Sequence, residues 1–296
     1  MEKRVLGRTG HKSTLITLGG AAVRSTSSNV GRLPTTRQES EAFIKLALDH
    51  GVNHVDVAPT YGGGMSEPIL GKWIKEYRDD LFLACKTGKR TKKDAAEELR
   101  SSLKRLQTDY FDLYQLHGLD DPDELKTALG EEGAIRAILE AKEQGLVKYI
   151  GITSHNPENI LRALKCFDFD TILLPVNYAL HAHPEPQNDY EPVLALAKKR
   201  NLGVIAMKAA TKRPWPTDEM THNCWYQPFD TQKEVDEALW FTLSQDITTA
   251  ASSSDIRVAK MMIDAAERYI PLSQKEQQLL LRKAASYKPL FPRATT

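Results

Sequence analysis

The sequence has few cysteines and no long uninterrupted hydrophobic run. The 296 residues include three cysteines, Cys85, Cys166 and Cys224. They are too few and too scattered for a disulfide framework. The first apolar stretch, residues 15–23, is interrupted by Thr17 and two glycines and is too short to span a membrane. The segment before it is charged and lacks the architecture of a signal peptide. We therefore expect a reduced, cytoplasmic location without membrane association.

An excess of one charge is also absent. The 40 basic and 39 acidic residues leave a formal net charge of +1, which provides no overall field to attract nucleic acid or an anionic membrane. The densest basic run, residues 86–93, contains none of the interleaved aromatic residues that stack on bases in nucleic-acid modules. With 41% hydrophobic and 27% charged residues, the composition is that of a folded globular protein.

Short apolar runs alternate with longer helical patterns along the chain. We predict eight strands, at residues 15–18, 54–57, 81–85, 111–116, 149–152, 171–176, 203–207 and 248–251. They are apolar through most of their length, as expected for parallel strands that are buried on both faces. Helix start signals lie between several of them, at Thr36, Thr91, Asn156, Thr231 and Ser273.

Eight successive β-then-α units fit either an open doubly wound sheet or a closed barrel, and the count favours an α/β fold of the (β/α)8 TIM-barrel class. The sequence contains no Rossmann glycine fingerprint and no Walker A motif. We predict one domain over residues 1–296, with a short N-terminal hairpin turning at residues 7–10 and a C-terminal helix. Residues 209–232 form a long loop, and a loop of this length is usually functional.

Four reactive side chains follow or end consecutive predicted strands. Asp56 lies near the end of the second strand and Tyr61 follows that strand, Lys86 directly follows the third strand, and His117 follows the fourth. Active sites of (β/α)8 barrels assemble at this face, so we expect the four side chains to meet there. Taken singly, Asp56 and Lys86 fit a buried ion pair, Tyr61 a packed loop aromatic and His117 a hydrogen-bonded strand-end histidine.

Proton donation to a carbonyl oxygen is the chemistry that suits the four residues together. A tyrosine with a pKa near ~10 is a weak acid at neutral pH, and an adjacent cation lowers its pKa. We expect Lys86 to be that cation, Asp56 to hold it, and His117 to orient the substrate oxygen. None of the four can supply a hydride, so a cofactor must do so.

The sequence resembles the aldo-keto reductases over nearly its whole length. The matching segments are LGRTG at 6–10, DVAPTYG at 56–62, SE at 66–67, LG at 70–71, KT at 86–87, TDYFDL at 108–113, QLH at 115–117 and GLVKYIGI at 145–152. The resemblance implies a catalytic tetrad of Asp56, Tyr61, Lys86 and His117, with Tyr61 as general acid and the hydride coming from a nicotinamide.

The resemblance also implies an extended cofactor over the rim of the barrel, with NADP(H) favoured and NAD(H) as the alternative. Position by position, the family's cofactor contacts fall on Thr153, Ser154, Asn177, Met207, Lys208, Lys212, Ser252, Ser253, Ser254 and Arg257. Hydroxyl and backbone N–H groups at a helix start suit phosphate, which fits the three serines. Arg257 stands where the family arginine meets the adenosine 2′-phosphate. Met207 replaces the aromatic residue that stacks on the nicotinamide in one common subgroup.

The long loop and the segment after the fifth strand carry further candidate residues. We expect an apolar substrate pocket formed by His155, Trp215, Trp225 and Tyr226. His181, His183, His222 and Cys224 match no zinc spacing, so no metal is expected. Two alternatives to a carbonyl reductase stay open: a cofactor-sensing regulatory module with little turnover, and an aldolase using Lys86 as a Schiff base. For a carbonyl reductase, the expected partner is a small-molecule carbonyl substrate. The sequence predicts neither the identity of this substrate nor the oligomeric state of the protein.

Overall fold

A computed structural model describes residues 1–25 and 33–291. The strands, in chain order, are β1 (Lys3–Val5), β2 (Lys12–Thr14), β3 (Ile16–Gly19), β4 (His54–Asp56), β5 (Phe82–Thr87), β6 (Phe111–Leu116), β7 (Val147–Thr153), β8 (Thr171–Pro175), β9 (Gly203–Met207), β10 (Thr211–Arg213), β11 (Gln227–Pro228) and β12 (Thr249–Ala251). The α-helices are α1 (Arg37–Asp49), α2 (Ser66–Tyr77), α3 (Lys92–Leu106), α4 (Pro122–Leu129), α5 (Ala134–Glu143), α6 (Pro157–Cys166), α7 (Tyr178–His181), α8 (Glu191–Arg200), α9 (Gln232–Leu243), α10 (Ile256–Glu267) and α11 (Gln274–Ala284).

Eight of the strands close into a barrel in the order β12-β3-β4-β5-β6-β7-β8-β9. Neighbouring strands are parallel, and their register places Asp56 opposite Ala84 and Lys86 opposite Gln115. The apolar outward side chains of the strands pack against the surrounding helices in one large core. The predicted (β/α)8 barrel is therefore confirmed, and each predicted strand is present with its ends shifted by two residues or fewer.

The helices begin where the capping signals predict. The side chains of Thr36 and Ser273 accept hydrogen bonds from the backbone N–H groups of Glu39 and Glu276. In return, each glutamate carboxylate accepts a hydrogen bond from the backbone N–H of its N-cap residue. These two sites are complete capping boxes, which satisfy N–H groups that the first helical turn leaves unpaired. The side chains of Thr91, Asn156 and Thr231 also act as N-caps, each accepting one backbone N–H.

Side chains that alternate along the strands fill the inside of the barrel. The interior cluster is apolar and consists of Leu6, Phe82, Ala84, Leu113, Leu173 and Ile205. Because strand residues i and i+2 share a face, the next inward positions after Ala84 and Leu113 are Lys86 and Gln115. The apolar filling is thus followed by a polar layer toward the C-terminal ends of the strands.

The N-terminal hairpin covers the opposite end of the barrel. β1 and β2 pair antiparallel, with Lys3 opposite Thr14. The backbone of Gly7 lies so close to the start of β9 that an added Cβ atom would come within 2.3 Å of the Gly203 nitrogen. Leu6 is fully buried in the interior cluster. The predicted hairpin is confirmed as the closure of the barrel at the N-terminal ends of its strands.

The long loop at residues 209–232 contains local structure of its own. β10 and β11 pair antiparallel within it, with Thr211 opposite Pro228. The indole N–H of Trp215 donates to the Cys224 carbonyl at 2.8 Å, and Phe229 stacks on Tyr178 with ring centroids 5.2 Å apart. Among the helices of the described ranges, none has the length and apolar character needed to cross a membrane.

Candidate active site

A cavity of about 850 Å³ opens at the C-terminal ends of the barrel strands. Every barrel strand contributes to its lining a residue within two positions of the strand's C-terminal end: Gly19, Asp56, Lys86, His117, Thr153, Leu173, Met207 and Ala251. This is the face at which (β/α)8 barrels carry their active sites. The four residues Asp56, Tyr61, Lys86 and His117 all line this one cavity.

Asp56 and Lys86 form a buried ion pair on neighbouring strands. The Lys86 ammonium contacts one carboxylate oxygen of Asp56 and also donates to the Val57 carbonyl at 3.2 Å. Gln115, from the next strand, donates its side-chain N–H to the other Asp56 oxygen at 2.8 Å. Gln115 was not predicted from the sequence, although its i, i+2 relation to His117 places both on the inward face.

Tyr61 lies above this pair on a short 3-10 turn, Tyr61–Gly64. Gly62 has a φ of +60°, and a Cβ atom added there would come within 2.4 Å of the Val23 carbonyl oxygen. The turn therefore requires glycine at this position and presses against the segment after β3. The Tyr61 ring centre is 4.8 Å from the Lys86 nitrogen and 5.7 Å from the His117 ring centre, edge to face.

The surrounding protein sets the protonation states of these groups. Burial raises the pKa of Tyr61 above its ordinary value, and the Lys86 charge only partly offsets this rise. Lys86 acts on the pKa of Tyr61 in the expected direction and lowers it, but desolvation of the phenolate is the larger effect, so the net shift is upward. Burial, followed by the Lys86 charge, lowers the pKa of His117 to about 3. At neutral pH, Tyr61 is therefore a protonated phenol and His117 a neutral imidazole.

Half of the predicted cofactor residues line the cavity: Thr153, Met207, Lys208, Ser252 and Ser254. The Thr153 hydroxyl accepts from the Gly118 N–H at 2.7 Å, and the Ser252 hydroxyl accepts from the Gly19 N–H at 2.9 Å. Both hydroxyls thereby brace the ends of neighbouring strands at the cavity wall.

The other predicted cofactor residues, as far as the described chain extends, lie outside the cavity lining. The Ser154 hydroxyl donates to Asp120 at 2.7 Å, and the Ser253 hydroxyl is 3.2 Å from the Cys224 sulfur. Asn177 caps α7. Lys212 pairs with Glu234 at 3.3 Å and Arg257 with Asp255 at 2.8 Å. Their cofactor roles stay predictions.

Three of the four predicted substrate-pocket residues, His155, Trp225 and Tyr226, line the cavity, whereas Trp215 stacks on His222 outside its lining. His155 forms hydrogen bonds through both ring nitrogens, one with Asp120 at 2.7 Å and one with the Lys208 ammonium at 2.9 Å. Arg24 also lines the cavity and donates to the Ser254 carbonyl at 3.1 Å. No sequence pattern indicated Arg24 or Asp120, because their contacts join segments that are far apart in the chain.

Comparison with known proteins decides the family. The model of the aldo/keto reductase family matches residues 15–281. The chain belongs to the aldo/keto reductase family. It is therefore an oxidoreductase of that family, as the resemblance implied, and the matched region includes the four residues of the predicted tetrad.

Two curated relatives and one solved structure illustrate how similar this aldo/keto reductase is to others. The uncharacterized oxidoreductase YqkF of Bacillus subtilis is 31% identical over 86% of this chain and 77% of its own length. The aldo-keto reductase YhdN of the same organism is 39% identical over 47% of this chain, and the match spans 46% of YhdN, about half its length. The structure of aldo-keto reductase AKR11C1 from Bacillus halodurans superimposes with a TM-score of 0.73 at 27% identity, covering 99% of both chains.

Proposed function

We propose that this aldo/keto reductase reduces an aldehyde or ketone to an alcohol with NADPH, and that Tyr61 is the general acid. The observation that supports this most strongly is the convergence of Tyr61, His117 and the Lys86–Asp56 pair on one cavity wall. A protonated phenol, a neutral imidazole and a buried ammonium form the set of donors that a developing alkoxide needs.

Each residue has a distinct part in the proton transfer. Tyr61 holds its proton at neutral pH because burial raises the pKa of its phenol. When Tyr61 donates that proton to the carbonyl oxygen, the Lys86 ammonium stabilises the negative charge left on the phenolate. Asp56, fixed by Gln115, keeps the ammonium in place. Neutral His117 donates an N–H hydrogen bond that orients the carbonyl oxygen.

The cavity also fits a dinucleotide cofactor by the chemistry of its donors. Its wall carries the guanidinium of Arg24, the ammonium of Lys208 and the hydroxyls of Ser252 and Ser254, which are groups that suit phosphate oxygens and an amide. Together with Thr153, these are the described residues that we expect to hold the cofactor. When bound, NADPH supplies the hydride that none of the protein's side chains can provide.

The test is turnover with purified protein. NADPH and a panel of reactive aldehydes and ketones are mixed with the wild type and with Tyr61→Phe, and nicotinamide absorbance is followed. We expect the wild type to consume NADPH and Tyr61→Phe to be slower by at least about 100-fold. Equal rates for the two proteins contradict the role of Tyr61. Tight NADPH binding without turnover of any carbonyl favours the cofactor-sensing module instead.

A further inference from the structure

Glu67 carries a fully buried carboxylate that the proposed proton transfer does not use. It lies in the first turn of α2, the helix that follows the Tyr61 turn. One of its carboxylate oxygens accepts a hydrogen bond from Nε of Arg105 on α3 at 2.5 Å, and the Arg105 side chain is 36% exposed. Apolar side chains can often replace a buried ion pair without loss of stability. The pair is therefore better explained by a role in fixing geometry than by stability alone.

Glu67 connects the elements that carry two of the tetrad residues. Its other carboxylate oxygen is 3.5 Å from the sulfur of Cys85. Burial raises the pKa of the Cys85 thiol well above its ordinary value, so the thiol keeps its proton and is the donor. Successive strand residues point to opposite faces, so Cys85 faces the helices while Lys86, the next residue of β5, faces the cavity. Glu67 thus joins the helix after Tyr61 to the outer face of the strand that carries Lys86.

The first turns of α2 are also held by two close backbone approaches. The Ser66 hydroxyl donates to the carbonyl of Gly20, just after β3, at 2.8 Å. Gly71 packs against α3 so closely that an added Cβ atom would come within 2.4 Å of the Arg105 carbonyl oxygen. The side-chain bond between Glu67 and Arg105 lies within this helix contact, so it fixes how α2 sits on α3.

The turn that carries Tyr61 borders on two cavities. Tyr61, Gly62 and Gly63 line the active-site cavity, whereas Pro59 and Gly64 line a second cavity of about 530 Å³. A turn that borders on open space depends on the elements at its two ends for its position, and α2 is the element at its C-terminal end. The position matters, because a misplacement of about 1 Å can cost about 100-fold in rate.

We propose that Glu67 is a positioning residue for the reduction, because its ion pair with Arg105 fixes the first turn of α2 and thereby holds the Tyr61 hydroxyl above Lys86. Glu67 lies outside the lining of the active-site cavity, so it acts through the backbone of the turn. This inference rests on the proposed function, since it assumes that Tyr61 donates the proton.

The experiment measures kcat, KM and the NADPH dissociation constant with the carbonyl that the wild type reduces fastest. Glu67→Met removes the carboxylate but keeps the length of the side chain, and Arg105 can turn toward water. We expect kcat to fall by about 10- to 100-fold, with the NADPH dissociation constant within about twofold of the wild type. Glu67→Gln keeps an acceptor of the same shape for Arg105, so its kcat should stay within about fivefold of the wild type.

Two further variants separate positioning from stability, which thermal unfolding measures. The double variant Glu67→Met with Arg105→Met replaces the pair by apolar side chains, so it should be at least as stable as Glu67→Met and as slow. Asp112→Asn is the matched control. It weakens a pair with Arg78 at the other end of the barrel, where the two atoms are 2.8 Å apart and the side chains are 10% and 13% exposed. It should lower the Tm but keep kcat within about twofold of the wild type.

The outcomes decide between the two roles. A wild-type kcat in folded Glu67→Met or in the double variant overturns the inference. An equal loss of kcat in Asp112→Asn also overturns it, since the effect would then reflect a general loosening of the barrel. If Glu67→Met does not fold, the double variant decides. These results leave the proposed function intact, whereas a wild type that reduces no carbonyl overturns the proposed function and this inference with it.

Discussion

Removing the Lys86 ammonium tests the buried ion pair by its effect on stability. The side chains of Lys86 and Asp56 are only 1% and 4% exposed. In Lys86→Met, a side chain of similar length fills the space, but among the described residues Gln115 is then the one side chain that still donates a hydrogen bond to the Asp56 carboxylate. Leaving one charge of a buried pair without its partner costs about 3–5 kcal/mol.

The expected loss is large enough to measure by thermal unfolding. With an unfolding entropy of about 2.1 cal/mol/K per residue, a chain of 296 residues has a value of about 0.6 kcal/mol/K. A loss of about 3–5 kcal/mol then lowers the Tm by about 5–8 °C. Circular dichroism during heating and in denaturant, on the wild type and Lys86→Met, provides both quantities.

Two comparisons isolate the pair from a general effect of losing a lysine. Lys92→Met removes an exposed pair with Glu140, whose side chains are 39% and 50% exposed, and should cost less than about 1 kcal/mol. The double variant Lys86→Met with Asp56→Asn removes both charges, so it should lose less stability than the two single losses added together. The reasoning is refuted if Lys86→Met is as stable as Lys92→Met, or if the single losses add.

Two other features give predictions of different kinds. His54 is fully buried at the N-terminal end of the barrel, and burial lowers its pKa well below 6.5. The folded protein keeps this ring neutral, whereas the unfolded chain takes up a proton as the pH falls below about 6.5. The free energy of unfolding is therefore highest above about pH 6.5 and decreases as the pH falls below it. Urea unfolding at about pH 7.5 and about pH 5 should show this loss, and His54→Gln should reduce it; an equal loss in His54→Gln contradicts the assignment. Gly62→Ala should lower kcat by at least about tenfold, because the added Cβ would come within 2.4 Å of the Val23 carbonyl and displace Tyr61. Gly63→Ala is its control, with a φ of +67° but nothing within 4 Å of the added Cβ atom, and similar kcat values for both variants exclude the steric explanation.

The barrel could be predicted because its strands are buried on both faces. A strand such as Phe111–Leu116 has the same ends in the sequence pattern and in the structure. The largest shift at a strand start is in β7, which begins two residues before the predicted start at residue 149. The reason is Lys148, a charged residue within the strand that pairs with Asp112 at 3.0 Å and so interrupts the apolar pattern.

The meeting of the four predicted tetrad residues at one cavity could be predicted because each is polar and lies near or after the end of an apolar strand. Their positions in the chain are enough to bring Asp56, Lys86 and His117 to one end of the barrel. Gln115 was within reach of the same reasoning, since it shares a strand face with His117. The direction of the Tyr61 pKa shift could not be predicted from the sequence, because the balance between burial and the Lys86 charge depends on how tightly the cavity wall encloses the ring.

The remainder of the site depends on contacts between loops that no local pattern reports. Arg24 meets Ser254 across 230 positions of the chain, and Asp120 meets His155 across 35. The left-handed backbone of Lys208 also leaves no mark in the sequence, because lysine seldom adopts it. For these residues the pattern predicts at most that a polar group lies near the rim.

The central claim is that the Tyr61 phenol provides the proton when the carbonyl is reduced. Its most direct test is the single-turnover rate constant for oxidation of prebound NADPH by an aldehyde, measured by stopped flow for the wild type, Tyr61→Phe and Tyr77→Phe. Tyr77 is the last residue of α2, away from the cavity lining. We predict that Tyr61→Phe still binds NADPH but oxidises it about 100- to 10,000-fold more slowly, while Tyr77→Phe matches the wild type. A Tyr61→Phe rate constant equal to that of the wild type contradicts the claim.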